Sequence, residues 1–360
     1  MAKIRGYSSY RGRGPLWKIL AATALAAVIL ASFGVLVVQR SMEAEMPRPP
    51  VPSADESGQE AREPGQDPSA ETQPETPPEE TVPETPPPEE ETPSSPALRA
   101  YAVQAAPWNE AVYWDVAGIA QREGCNAVSA LLKDEEGWIY FTSGAALSGS
   151  TRVNGETNEA LAQLTASSTY SIARIACFHD PIVASKESSL ERYALKNTGT
   201  YLFYDGNSSN WLDPAKEMTR AYLCGLAQDA AELGFDEILL TAVSYPRVGK
   251  LDKIAYGDTP IDQNLSAFLG EVRAALQTYG VKLSVEVPKE ILLDGGQDVG
   301  GMTLEAAAPH VDRIYAAVEP GEIQRCADAV NAVQGGVVRF VPELRTLPDP
   351  APAWYMRIPF

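Results

Sequence analysis

Two kinds of hydrophobic pattern alternate along residues 99–360. Short runs rich in β-branched and aromatic residues are each followed by a longer segment with apolar residues every three to four positions. Runs of the first kind predict strands, and segments of the second kind predict amphipathic helices. Eight strands are predicted, near residues 111–116, 126–132, 170–178, 237–245, 281–287, 312–318, 337–343 and 354–358.

The clearest helical segment covers residues 214–233. Asp213 precedes it as a candidate N-cap, Pro214 suits its first turn, and Gly234 suits its exit. A second helix is predicted over 263–279, ahead of Gly280, and shorter helices near 157–166, 303–309 and 321–333. The segment 344–353 is rich in proline and too short for a full helix, so the last strand–helix unit is expected to be trimmed.

Strands that alternate with helices predict a parallel sheet with helices around it. Eight strands in about 260 residues match the usual size of a (β/α)8 TIM-type barrel, and this α/β fold is the one we expect. A doubly wound open sheet is the alternative. It finds no support in a glycine-rich phosphate loop, because no predicted strand is followed by G-x-G-x-x-G.

The N-terminal 39 residues have a different chemistry. Residues 1–18 are basic and contain no acidic residue, and residues 19–39 carry no charge and are mostly Ala, Leu, Val and Ile. A span of this length can cross a bilayer as one helix. Its basic flank favours a cytoplasmic N-terminus, which predicts a single-pass protein of the cell membrane with an extracellular C-terminal domain. A cleaved secretory signal is the competing interpretation, although no clear A-x-A site ends the run.

Residues 40–98 have the composition of a disordered linker. Residues 42–98 hold 15 of the 29 prolines and 15 acidic residues against two arginines, which gives a net charge of −13. Such a segment cannot bury enough apolar surface to offset its ordering entropy, and proline and self-repulsion favour an extended spacer.

Charge and rare residues narrow the function of the region 99–360. Its 21 basic and 33 acidic residues give a net charge of −12, which argues against a nucleic-acid partner. Its four cysteines are far apart and lack a C-x-x-C motif, so free thiols are expected. The whole chain has only two histidines, which makes a histidine-based zinc site improbable. Neither a metal nor an organic cofactor is indicated.

Strand parity selects three candidate catalytic acids. In a barrel of this kind the active site lies at the C-terminal ends of the strands, and alternate residues point inward. This places Glu286, Glu319 and Glu343 on the inner face at that rim. Glycoside hydrolysis needs two carboxyl groups, one protonated and one ionised. The alternative is that these acids are solvated caps or partners of nearby arginines.

The same parity and the aromatic residues suggest ligand contacts. Tyr315 and Arg339 are predicted to face the barrel interior, and aromatic planes near strand ends can pack on the C–H faces of sugars. The aromatic candidates are Trp114, Trp211, Tyr245 and Trp354. For each tryptophan alone, packing in the core is the alternative role.

Residues 126–246 resemble the putative glycosyl hydrolase domain family of bacterial envelope proteins. The matching segments occur in order: NAVSALLKDEEGWIYF, YSIARIACFHDPIVA, NWLDPAKE and AAELGFDEILLTAVSYP. The resemblance implies a glycosidase-type barrel and a polysaccharide or peptidoglycan-type glycan as partner. The same segments supply four further candidates for ligand contacts, namely Asp134, Arg174, His179 and Asp180.

The chain departs from the family pattern where the resemblance implies chemistry. At the fourth strand the acid of the family pattern is replaced by Thr241 and its arginine by Ser244, and on the second strand an acid is replaced by Leu131. An acid survives on the fifth strand as Glu286. A threonine cannot serve as the carboxylate acid, base or nucleophile of a glycosidase.

Three functions remain open from sequence. The first is a membrane-anchored hydrolase of cell-wall or extracellular polysaccharide that uses Glu286 with Glu319 or Glu343. The second is a barrel that binds glycan without cleaving it, and the third is a structural envelope protein. The lost acid at Thr241 favours the second, and the inward acids favour the first.

Overall fold

The computed structural model describes residues 97–104, 107–293, 295, 298–333 and 337–359. Within them, eight parallel strands close into a barrel in sequence order, with β1 paired to both β2 and β8. The strands are β1 (Arg99–Ala102), β2 (Ala127–Lys133), β3 (Tyr170–Ala176), β4 (Glu237–Thr241), β5 (Lys282–Glu286), β6 (Arg313–Ala317), β7 (Arg339–Leu344) and β8 (Tyr355–Arg357). The expected barrel is therefore confirmed, and the open-sheet alternative is wrong.

Helices pack around the outside of this barrel. They are α1 (Glu110–Arg122), α2 (Thr157–Thr165), α3 (Pro181–Ala184), α4 (Glu217–Glu232), α5 (Ile261–Leu276), α6 (Lys289–Leu293), α7 (Leu304–Ala307) and α8 (Ile323–Ala332). Short 3₁₀ turns cover Glu187–Ser189, Leu251–Lys253 and Pro320–Glu322. The segment between β7 and β8 contains no helix, as the proline-rich sequence predicts.

The first predicted strand is wrong. Residues 111–116 belong to α1, whose N-cap Asn109 accepts a hydrogen bond from the Val112 N–H at 2.9 Å. The buried residues of this helix, Val116 and Ala120, are one helical turn apart, which is the helical and not the strand period. The true first strand, β1, has only four residues, too few to show an alternating pattern.

The start of α4 also differs from the prediction. The helix begins at Glu217, with Lys216 in the N-cap position and no side chain capping it. The Asp213 carboxylate instead accepts a hydrogen bond from the Ala215 N–H at 3.0 Å, so it stabilises a turn that precedes the helix. The apolar face of α4, which includes Tyr222 and Leu226, is buried against the barrel.

Two apolar cores hold the barrel together. The larger lies between the strands and the helices, and it includes Leu161, Phe178, Phe268 and Ile314. The smaller fills the inside of the barrel with side chains from seven strands and Leu98. Burial of this apolar surface is the main force that closes the sheet.

The predicted membrane segment cannot be located in this structure. In the described part of the chain no helix has the length and apolarity needed to cross a bilayer. The predicted basic tail 1–18, transmembrane helix 19–39 and nearly all of the linker 40–98 lie outside the described residues.

Candidate functional site

A cleft opens at the C-terminal ends of the strands. Its cavity has a volume of about 540 Å³, and its lining includes Lys133, Arg174, Thr241, Glu286 and Glu343. A side cavity of about 350 Å³ adjoins it and shares Glu135, Glu286 and Ala317 with it. Ala317 at the end of β6 is small and exposed, which leaves room for a ligand above the barrel core.

Glu286 and Glu343, here called the glutamate pair, come from the ends of β5 and β7. Glu343 is 5% exposed, and its Oε1 atom has no hydrogen-bond partner within the described residues. Burial raises the pKa of Glu343 well above its usual range, and the charge of Glu286 raises it further. Burial also raises the pKa of Glu286, and the Glu135 carboxylate adds to this effect. The environment therefore favours protons on the pair.

Arg174 on β3 opposes the rise in the pKa values of the glutamate pair. Its guanidinium donates to the Val103 carbonyl at 3.0 Å and to Gln104 Oε1 at 3.1 Å. Burial lowers the pKa of Arg174, while the two glutamates raise it. Its positive charge in turn lowers the pKa of both glutamates, so a buried cation lies beside the glutamate pair.

Two motif residues of the cleft wall have a structural contact. Lys133 Nζ lies 3.1 Å from Asp180 Oδ2, and neither side chain is exposed. Asp180 also caps α3 by accepting from the Val183 N–H at 2.9 Å. Gly137 packs so closely on Asp180 that a side chain there would clash with the carboxylate. The K-D-x-x-G and F-x-D-P segments therefore meet in one buried ion pair, which explains why their residues occur together.

Aromatic and acidic side chains also line the cleft and its side cavity. Asp134 accepts from the Trp138 N–H at 2.8 Å and from the Tyr140 hydroxyl at 2.5 Å. Burial, with the Asp134 hydrogen bond, raises the pKa of Tyr140 to about 12. Trp211 lines the side cavity, and His179 stacks on it with ring centres 4.5 Å apart.

Several predicted site residues lie elsewhere. Trp114 is 62% exposed on the outside of α1 instead of at a strand end. Tyr245 is fully buried, and its hydroxyl accepts from Asn264 Nδ2 at 3.0 Å. Glu319 is exposed and forms a capping box with Glu322 at the turn after β6. These three residues do not line the cleft or the side cavity.

Three more predicted residues belong to the opposite end of the barrel. Tyr315 points to Glu237, the first residue of β4, and donates to its Oε1 at 2.9 Å. Arg339 begins β7 and stacks on Trp354, which lies just before β8, at 5.1 Å. In a parallel barrel the first residues of all strands lie at one rim, so this group is remote from the cleft. Parity predicted the inward direction of Tyr315 but not the end it faces.

Sequence reasoning did not select Glu135, Lys133 or Glu237. Glu135 follows β2 and lines both cavities, and a hydrogen bond from His179 lowers its pKa. Lys133 sits in the K-D-x-x-G segment, so its place in a motif was the available signal. Glu237 begins a strand and gives no such signal.

Comparison with known proteins assigns the family. The model of the family described as a putative glycosyl hydrolase domain matches residues 101–330. The chain belongs to this family. No curated protein matches it. The resemblance found in the segments between residues 126 and 246 is therefore confirmed.

Several solved structures are similar to this chain to different degrees. The glycoside hydrolase domain of PgaB (BpsB) from Bordetella bronchiseptica is 14% identical, with a TM-score of 0.51, over 69% of this chain and 84% of that domain. A hypothetical protein from Ruminiclostridium thermocellum ATCC 27405 is 25% identical with a TM-score of 0.43, over 52% of this chain and 96% of that one. The spore cortex-lytic enzyme SleL of Bacillus megaterium QM B1551 is 10% identical with a TM-score of 0.41, over 70% of this chain and 51% of that enzyme.

Proposed function

We propose that the chain is a membrane-anchored glycosidase that cleaves cell-wall or extracellular polysaccharide in the cleft above its barrel. The observation that carries the proposal is the glutamate pair. Two glutamates share one cleft at the catalytic end of the fold, both have a raised pKa, and Arg174 lies beside them. The family's description and the size of the cleft support a glycan as the ligand.

The two glutamates take different roles in this proposal. Glu343 is the more deeply buried of the two and its pKa is raised, so it holds the proton and acts as the general acid. It would protonate the oxygen of the scissile glycosidic bond. Glu286 is partly exposed and is stabilised by Arg174 as a carboxylate, so it acts as base or nucleophile. Two carboxyl groups whose environments separate their pKa values are what glycoside hydrolysis requires.

A glycan-binding barrel without turnover is the second candidate. Thr241 lines the cleft at the end of β4, the position where the family pattern resembled by this chain has an acid. A hydroxyl there can donate and accept hydrogen bonds to a sugar but cannot replace a carboxylate. In this case the same cleft binds a polysaccharide and holds it near the membrane.

The location forms part of the proposal. Residues 19–39 would anchor the chain with residues 1–18 in the cytoplasm, and residues 40–98 would hold the barrel away from the membrane. The uncharged run, its basic flank and the proline- and glutamate-rich composition of the linker support this arrangement. Fractionation of cells, with protease added to intact cells, tests it. Protection of the barrel from protease would contradict an extracellular domain.

The decisive test is a turnover assay with the full-length protein in mild detergent. Purified cell wall and a panel of polysaccharides are incubated with the parent, Glu343→Gln and Glu286→Gln, and the released reducing ends are measured. Each substitution should lower the rate at least about 100-fold, because general acid–base catalysis contributes about that much. Glu319→Gln is the matched control and should leave the rate unchanged. Retention of the protein on a glycan without release would instead establish the binding function.

A further inference from the structure

A serine, a histidine and a glutamate lie in a row, and the glutamate, Glu135, lines the side cavity. Ser209 Oγ is 2.7 Å from His179 Nε2, and His179 Nδ1 is 3.3 Å from Glu135 Oε2. In the tautomer with a proton on Nδ1, Ser209 donates to Nε2 and His179 donates to Glu135. A nucleophile, a base and a third group that orients the base are the parts of an acyl-transfer triad.

The loop that carries Ser209 is held rigidly. The Asp205 carboxylate accepts from the Asn207 N–H at 2.8 Å, the Ser209 N–H at 2.9 Å and Trp211 Nε1 at 3.0 Å. The Gly206 N–H donates to the Val248 carbonyl, and Gly249 approaches Gly206 so closely that a side chain there would clash with the backbone. Anchors on both sides fix the position of the Ser209 hydroxyl.

The histidine ring is also held in place. It stacks on Trp211 at 4.5 Å with an angle of 21° between the rings, and Trp211 is itself 8% exposed. The ring is still partly accessible, with 21% of the His179 side chain exposed. A fixed and accessible imidazole can accept a proton and return it without reorganisation.

The ionised state of Glu135 and the backbone strain at Ser208 both agree with a functional arrangement. The hydrogen bond from His179 lowers the pKa of Glu135, so the carboxylate is ionised and selects the required tautomer. Ser208, next to the candidate nucleophile, has a φ of 61°, a conformation that residues other than glycine adopt rarely. Such strain of about 1–3 kcal/mol concentrates at functional sites.

We propose that Ser209, His179 and Glu135 form a serine esterase site that removes short O-acyl groups from a glycan. The glycan part rests on the proposed function of the cleft. Glu135 and Trp211 line the side cavity together with Glu286. Because Glu135 bonds to His179 and Trp211 stacks on it, a sugar bound near Glu286 would lie beside the three residues, within reach of Ser209 for its substituted hydroxyl groups. The side cavity of about 350 Å³ has room for one acetylated sugar unit but not for a long acyl chain.

The reaction balances with these groups and water alone. Ser209 Oγ attacks the ester carbonyl carbon while His179 Nε2 takes the hydroxyl proton. The ester C–O bond then breaks, and His179 returns the proton to the sugar oxygen, which leaves as a free hydroxyl. Water attacks the acyl-serine, His179 takes a water proton and gives it to Ser209 Oγ, and the carboxylic acid is released. Glu135 stays ionised throughout and stabilises the imidazolium.

The test uses the full-length protein and a fluorophosphonate probe, which reacts covalently with activated serines. Peptide mass spectrometry should locate the probe on Ser209, and His179→Ala should abolish the labelling. Hydrolysis of p-nitrophenyl acetate should fall at least about 100-fold in Ser209→Ala. Ser188→Ala, which removes an exposed hydroxyl outside these three residues, is the control and should retain both labelling and hydrolysis. Glu135→Gln should give an intermediate loss.

The outcomes separate this site from the glycosidase. Wild-type protein without the probe on Ser209 would overturn the esterase, whatever the variants do. Labelling of Ser209 without acetate release from acetylated xylan or O-acetylated peptidoglycan would overturn the glycan-ester assignment. Ser209→Ala that still releases reducing ends would show that the two activities are independent. Unlabelled wild-type protein that releases acetate but no reducing ends would remove the glycosidase and leave the esterase.

Discussion

The two ends of the barrel each bury a glutamate, but the surroundings differ. Glu237, at the N-terminal end, is fully buried and bonds to Ser284, Tyr315 and Arg313, so both of its oxygens have partners. Glu343, at the C-terminal end, is 5% exposed, and its Oε1 has no partner within the described residues. Buried polar groups in proteins are nearly always paired, and each exception needs an explanation.

We infer from this difference that Glu237 is a structural acid and Glu343 a candidate for function. At the N-terminal end a cavity of about 570 Å³ is similar in volume to the cleft, but Arg313, which lines it, is paired with Glu237. At the C-terminal end Arg174 lies near two glutamates and bonds to neither, so its charge and theirs are available to a ligand. Cavity size therefore does not distinguish the two ends, whereas the partners of the buried charges do.

The largest expected effect is on stability at the N-terminal end. Glu237→Ala leaves the Arg313 guanidinium, 13% exposed, without its carboxylate. Removal of one partner of a buried ion pair costs about 3–5 kcal/mol in free energy of unfolding. Urea denaturation followed by circular dichroism measures this loss. A loss below about 1 kcal/mol would show that water reaches Arg313 and that the network is not structural.

Substitution of the buried glutamate at the C-terminal end should not lower the free energy of unfolding. Glu343→Gln removes a buried carboxyl that has an unpaired oxygen, so the free energy of unfolding should stay equal or rise by about 1 kcal/mol at neutral pH. The same urea denaturation, run beside the Glu237 variant, is the measurement. A large loss of stability in Glu343→Gln would mean that Glu343 is also structural, and the contrast between the ends would fail.

The pH dependence of the free energy of unfolding tests the buried state of Glu343 further. The pKa of Glu343 is raised in the folded state from a reference of 4.5. Above that reference the unfolded chain loses this proton first, so the Glu343 contribution to stability falls as pH rises from about 4.5 towards the folded pKa. We expect the stability advantage of Glu343→Gln over the parent to be greater at pH 8 than at pH 5. Equal advantages at both pH values would contradict the raised pKa.

The sequence predicted the barrel better than the site. Hydrophobic periods are set by burial, so seven of the eight strands and the helices α4 and α5 follow from them. The pattern does not select β1, because its four residues, RAYA, include no β-branched residue and its pairing is with the distant strands β2 and β8. The pattern in 111–116 was misinterpreted because a short apolar run fits a strand as well as a helix.

The site depends on contacts that no local pattern encodes. Parity places Glu286 and Glu343 on the inner face, and both line the cleft, but it also places Arg339 there without indicating which rim it faces. Glu135, His179 and Ser209 come from three separate loops, and only the closed barrel brings them within hydrogen-bond distance. The same is true of Glu237 and its partners. Side-chain partners across the barrel are therefore the part that required the structure.

A smaller effect is expected from Arg174 on the pH dependence of turnover. Its charge lowers the pKa of both glutamates of the pair. Arg174→Gln should therefore move the pH profile of glycan cleavage to higher pH, because both carboxyl groups then titrate later. The rate of reducing-end release from pH 4 to 9 measures the shift. Arg313→Gln, at the other end, is the control and should lower stability without moving the profile.

The smallest expected effect comes from Trp354 at the N-terminal end. Arg313 and Arg339 lie 5.3 and 5.1 Å from its ring, and the residue is only partly buried. Cation–π contacts at such sites contribute about 0.5–1 kcal/mol each, so Trp354→Leu should lower the free energy of unfolding by about 1 kcal/mol. Turnover and glycan retention should not change, because no sugar contact is expected at this rim. Loss of glycan retention in Trp354→Leu, with the fold intact by circular dichroism, would move the binding site to the N-terminal end.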